Sequence, residues 1–89
     1  MMKSVTQKVV EVEGEGFLAL MDQRITVFCM NYIYTGKLVG VNATCILLED
    51  ASIVYETGPL NDKVWKDAQK LPAPAYVQIS AIEMFTILK

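Results

Sequence analysis

The spacing of apolar positions changes along this chain, and each change marks an element. Over residues 1–13, Val10 and Val12 alternate loosely with Glu11 and Glu13, which fits a short strand or an unsettled arm. Gly14 and Gly16 break that pattern. Phe17, Leu20 and Met21 then recur at helical spacing, which predicts one short helix of about two turns over 17–23. From Arg24 the period becomes two: Ile25, Val27 and Cys29 share one face, and Thr26, Phe28 and Met30 the other. A strand apolar on both faces belongs to a closed or heavily covered sheet. After Asn31 a second strand runs over 32–41, rich in β-branched and aromatic residues and carrying Gly36 and Gly40. Two glycines so close together inside a strand predict strong curvature.

Residues 42–44 (Asn-Ala-Thr) predict a tight turn into a third strand over 45–50. A bulge at Ala51-Ser52 is expected before 53–57 continues that strand, and Gly58-Pro59 ends it. The stretch 60–74 allows two readings. Asn61 or Asp62 caps a short helix with Val64, Trp65, Ala68 and Leu71 on one face, or the segment is an extended hairpin loop. Two strands, 75–79 and 83–88, joined by a turn at 80–82, close the chain. The expected architecture is all-β: a short N-terminal helix followed by a strongly bent five-stranded antiparallel small barrel. Residues 1–13 form an arm, and 14–89 a single domain with an extended loop at 58–74.

Composition sharpens the picture in one respect. Of 89 residues, 53% are hydrophobic and 20% charged, more apolar material than so small a monomer easily hides. The surplus points to self-association. The net charge of -2 provides no global attraction for nucleic acid. The absence of histidine removes the commonest general base and metal ligand. Glu49 and Asp50 point to opposite faces of a strand, which is wrong for a carboxylate pair. No phosphate loop or nucleophile elbow appears, so no enzyme activity and no cofactor are expected. Cys29 and Cys45, 16 positions apart in apolar runs, read as buried free thiols in a reducing compartment. With no apolar run long enough to span a bilayer and no signal peptide visible, the expected location is the cytoplasm.

The order of elements and several segments resemble the Sm and Sm-like (LSm) family, in the manner of a divergent bacterial or phage-type member. The resemblance covers about 17–88. Ile25-Thr26-Val27 resembles the first family strand, and 35–40 (Thr-Gly-Lys-Leu-Val-Gly) the glycine-x-leucine second strand. Residues 46–51 are similar to the third strand with its terminal acidic-alanine step, and 77–82 occupy the place of the second Sm motif. The resemblance implies a homo-oligomeric ring of roughly five to seven subunits, closed by pairing the last two strands of adjacent subunits. Val77, Ile79, Met84, Phe85 and Ile87 are the expected subunit interface.

It also implies a single-stranded RNA partner, with an alternative role as a scaffold or adaptor ring for proteins. In RNA-binding relatives a base is held by a turn before the third strand and by an arginine of the second motif. Asn42, Thr44, Gln78 and Ser80 occupy that region here. They leave neutral hydrogen-bonding groups without the usual stacking and cationic partners. Their plain alternative is turn chemistry. Lys63, Trp65, Lys66 and Lys70 are a second candidate patch, basic and stackable. Asp62 and Asp67 interleave with them, which favours an amphipathic loop packed on the barrel.

Overall fold

The computed structural model describes residues 16–89. The arm expected over 1–13 lies outside the described residues. Six antiparallel strands follow a short 3₁₀ segment, Gly16–Leu20: β1 (Arg24–Cys29), β2 (Ile33–Val41), β3 (Cys45–Glu56), β4 (Asp67–Lys70), β5 (Ala75–Gln78) and β6 (Ile82–Ile87). They form one sheet in the order β4-β3-β2-β1-β6, with β5 also pairing with β3.

The two-turn helix expected over 17–23 is instead this five-residue 3₁₀ segment. Asp22 explains the early stop. It sits at φ 67, a left-handed conformation that ends a helical run, and its N–H donates to the Leu38 carbonyl at 2.7 Å.

The 12-residue β3 organises the sheet. One of its edges is shared, Cys45–Leu48 pairing with β5 and Ser52–Glu56 with β4. The strand expected over 75–79 is β5, and β4 is an additional strand inside the stretch expected to be a loop, so the described residues hold six strands rather than five. Pro72 and Pro74, which bring no N–H to a ladder, lie between β4 and β5, and the Leu71 N–H donates to the Ala51 carbonyl at 2.8 Å. The helix considered within 60–74 is absent. Its C-terminal part is β4, and the hairpin-loop alternative is the one observed.

A bulge interrupts β3 opposite Gly36. Thr35 pairs with Ser52 and Lys37 with Glu49, so Asp50 and Ala51 together face the one residue Gly36. That is a β-bulge, one residue earlier than the sequence pattern placed it, and Asp50 takes a left-handed φ of 51 to make it. Gly36 is required there. A Cβ on it would lie 3.0 Å from the Leu48 Cβ, 3.1 Å from the Glu49 carbonyl oxygen and 3.2 Å from the Ala51 Cα. A second irregularity, between Leu38 and Gly40, keeps Leu38 and Val41 on the same side while β2 curves.

That side is the core. Ile25, Val27, Leu38, Ile46, Leu48, Ala51 and Val77 pack together, with Phe17, Tyr34 and Phe85 against them. Phe17 stacks on Phe85 with ring centroids 3.9 Å apart, which attaches the 3₁₀ segment to β6. The other face carries a polar row, because Thr86, Thr26, Thr35 and Ser52 stand side by side across four strands. Thr26 and Thr35 are nevertheless buried. The Thr35 hydroxyl donates to the Ile25 carbonyl at 2.9 Å, and Thr26 lies 3.2 Å from the Leu88 carbonyl oxygen. The residues that follow β6 therefore cross this outer face.

Candidate functional site

The turn before β3 and the end of β5 are brought together. Cys45 pairs with Gln78, and the Ile79 N–H donates to the Thr44 carbonyl at 2.9 Å. A 3₁₀ turn, Ile79–Ala81, follows directly, so Ile79 and Ser80 leave the strand the sequence had given Ile79. Asn42, Thr44, Gln78 and Ser80 thus lie at one end of the sheet.

What Asn42 offers there is limited. Its Oδ1 accepts the Thr44 N–H at 2.8 Å and the Cys45 N–H at 2.9 Å, with the Thr44 hydroxyl 3.3 Å away. This is an Asx turn, in which the side chain holds its own backbone. Its carbonyl oxygen is committed before any ligand arrives, leaving the amide N–H groups as donors.

Two concave surfaces flank Tyr76, whose ring is 73% exposed. The smaller, about 210 Å³, borders the turn and is lined by Gly40, Asn42, Cys45 and Leu47. The larger, about 360 Å³, opens between the free edge of β5 and the β1–β2 turn. Inward-facing Cys29, Tyr34 and Val77 form its floor and Met30, Tyr32 and Tyr76 its rim, with Asn31 and Gln78 as its polar groups. Among the described residues no lysine or arginine lines either one. Burial, then the charge of Glu83, raises the Cys29 thiol pKa, so this thiol stays protonated at neutral pH and is a poor nucleophile. Tyr34 is raised by burial first and then by its Cys29, Tyr32 and Tyr55 neighbours.

The lysine candidates separate. Lys66 Nζ lies 3.1 Å from Glu56 Oε2, and Lys70 binds Asp50 Oδ1. Asp50 also takes Arg24 Nη1 at 3.1 Å, and Arg24 Nη2 donates to the Asp50 carbonyl at 3.2 Å. Lys70, first by its hydrogen bond and then by its charge, holds the Asp50 carboxyl below the ordinary carboxylate range, with Arg24 adding to the effect. Trp65 faces Lys89 rather than Lys63, Lys66 or Lys70, the Lys89 Nζ standing 4.4 Å from the ring centroid. The four residues do not make one basic stacking surface.

The expected interface residues also divide. Val77 belongs to the core, and Ile79 and Phe85 are half-buried against it, Phe85 also stacking on Phe17. Met84 and Ile87 are exposed on β6, 48% and 58% respectively. Tyr76, which the sequence reading passed over, is the outward neighbour of Val77 on β5. The alternation Ala75-Tyr76-Val77-Gln78 carried that signal, because a core Val77 turns Tyr76 outward.

Cys29 and Cys45 are free thiols, both half-buried. Among the described residues no group of His, Cys, Asp or Glu is arranged to hold a metal ion, and no helix is long and apolar enough to cross a membrane. Comparison with protein-family models, curated proteins and solved structures finds no match.

Proposed function

We propose that this chain is a subunit of an Sm-like homo-oligomeric ring, and that the ring serves as a scaffold for protein partners. One observation carries the reading: among the described residues β4, β5 and β6 each pair with one strand only, and of these edge strands β5 and β6 bear exposed apolar side chains. An uncovered apolar edge is a template for another strand. Pairing β5 of one copy with β6 of the next is a head-to-tail contact, which closes into a ring when the rotation between copies is a whole fraction of a turn. Tyr76 on one side, with Met84 and Ile87 on the other, then leave water together. The bulge in β3 and the 3₁₀ turn between β5 and β6 support the family resemblance, since a small, strongly curved barrel needs such breaks in its strands.

Single-stranded RNA is the second reading. It is favoured by the meeting of Asn42, Thr44 and Gln78 beside the exposed Tyr76, a ring on which a base can stack. The uncharged surfaces on either side of Tyr76 weigh against it, because phosphate contacts supply most of the affinity of such complexes.

Light-scattering mass over a concentration series, with anisotropy of labelled oligo-uridine and oligo-adenosine, separates the readings. The expected result is a multiple of the 9.9 kDa chain with no salt-sensitive RNA binding. Salt-sensitive binding lost on Tyr76→Ala moves the assignment to RNA. A monomer at every concentration removes the ring.

A further inference from the structure

The loop between β3 and β4 contains an arrangement that neither the ring nor the RNA reading uses. Lys89, two residues past β6, extends its Nζ into this loop. It lies 2.9 Å from the Pro59 carbonyl oxygen, 3.2 Å from that of Val64 and 3.4 Å from that of Thr57, and it stands over the Trp65 ring. A primary ammonium has three N–H donors and no acceptor, and here it meets three carbonyl oxygens and one aromatic face. The loop is shaped for this. Gly58, at φ 67, turns the chain so that the Thr57 and Pro59 carbonyls converge, and a Cβ at that position would lie 3.2 Å from the Lys66 Cβ. The Lys66 N–H donates to the Thr57 carbonyl at 3.3 Å and closes the loop at its base.

Trp65 strengthens the argument. Its Nε1 is buried with no hydrogen-bond partner among the described residues. A polar contact to the ring is made by the Lys89 ammonium over its face. On the other side, the chain leading to Lys89 lies over the buried Thr26 and Thr35, with the Lys89 carbonyl oxygen 3.3 Å from the Thr35 hydroxyl. One residue therefore fastens both the loop, through its side chain, and the covering of the outer sheet face, through its backbone.

We propose that loop 57–66 is a receptor for a primary alkylammonium group, filled within the chain by Lys89, and that the filled receptor straps the residues after β6 across the outer face. An emptied receptor then takes an alkylammonium from solution. The selectivity follows from the geometry. A guanidinium is planar and cannot direct three donors at three carbonyls around one axis, and a quaternary ammonium has no donor at all.

Trp65 is the only tryptophan in the chain, so its emission reports the receptor directly. Lys89→Met keeps an apolar stem and removes the charge. Its expected effects are a red-shifted Trp65 emission and roughly tenfold faster tryptic cleavage at Lys63 and Lys66, the scale of a charge-assisted contact combined with a cation–π contact. Adding n-butylammonium chloride to this variant at constant ionic strength restores the parent emission with a saturable dependence. n-Butanol, tetramethylammonium chloride and sodium chloride do not. Far-ultraviolet circular dichroism of the variant is expected to match the parent, and Lys89→Arg to restore emission and protection only in part. Parent-like emission and cleavage in Lys89→Met overturns the proposal. So does a rescue that n-butanol or tetramethylammonium performs as well as n-butylammonium, because the site is then apolar space or a nonspecific charge effect.

Discussion

Replacing Ile87 by lysine tests the assembly reading most directly. In the single chain Ile87 is 58% exposed at the uncovered edge of β6, opposite Ile25. A substitution at such a site changes the stability of an isolated subunit by only about 0.5 kcal/mol. At an interface the balance differs. Covering the exposed share of an isoleucine is worth about 1–2 kcal/mol, taken from the ~1.5–3 kcal/mol of a fully buried aliphatic side chain. Burying a polar head without a matched partner costs about a further 1–3 kcal/mol. The combined loss is at least about 2 kcal/mol, or roughly thirtyfold per contact, and it recurs at every contact of a closed ring. Sedimentation equilibrium of Ile87→Lys and the parent, with urea unfolding of both, supplies the two numbers. The expected result is a shift toward monomer with the same unfolding curve at concentrations where both are monomeric. Phe85→Lys is the contrast, since it breaks the stack on Phe17 and lowers the unfolding midpoint instead. An Ile87→Lys protein with the full parent mass across the dilution series would refute the β6 interface.

Three further outcomes follow from the fold. Thr35→Val removes the hydroxyl that donates to the Ile25 carbonyl on a buried face, and urea unfolding should show a loss of about 1–2 kcal/mol. Gly36→Ala forces a methyl against the Glu49 carbonyl and the Ala51 Cα, backbone atoms of the bulge, with an expected cost of about 1–3 kcal/mol in the same assay. Asp50→Asn retains a residue type that tolerates the left-handed conformation while discarding the carboxylate. Because the folded state lowers the Asp50 pKa from 3.8, the parent holds this stabilisation above that value and loses it as pH falls through the lower folded pKa. Acid titration of stability should therefore show a component in the parent that the Asn variant lacks, modest in size because all three partners are exposed to solvent.

The sequence was most readable where burial imposed a period. Both faces of β1 and the inward positions of β2, β3 and β5 follow their two-residue alternation, and the antiparallel all-β architecture follows from them. β4 was not readable for the opposite reason. Asp67-Ala68-Gln69-Lys70 is exposed throughout, and its strand form comes from pairing with Ser52–Glu56 of β3. The local spacing of Val64, Trp65, Ala68 and Leu71 mimicked a helical face that the pairing overrides. The bulge was visible to within one residue, since Gly36 marked a close approach but not which residue of β3 would occupy it. At the candidate site, Asn42 and Gln78 could be placed together from the resemblance. The use of the Asn42 Oδ1 by its own turn needed the structure. Lys89 gave no signal, because its partners are three backbone carbonyls with no sequence identity to read.

The distribution of cations leads to the same view of what the exposed surface is for. Arg24 and Lys70 converge on Asp50, Lys66 on Glu56, and Lys89 on the loop carbonyls, while Lys37 stands opposite Glu49 across β2 and β3. Each contact ties together segments distant in sequence: β1, β3 and β4 at the bulge, β3 with the end of its loop, and that loop with the chain after β6. These charges hold a sharply bent sheet in shape. A lysine already paired with a carboxylate offers a phosphate less, because the pair must open first or accept the anion beside its own. The surface beside β5 and along β6 also presents exposed apolar side chains, with Met30, Tyr32 and Tyr76 on one side and Met84 and Ile87 on the other. Such side chains gain most from another protein surface, and in the proposed ring another copy of this chain would present the complementary edge at the concentration of the protein itself.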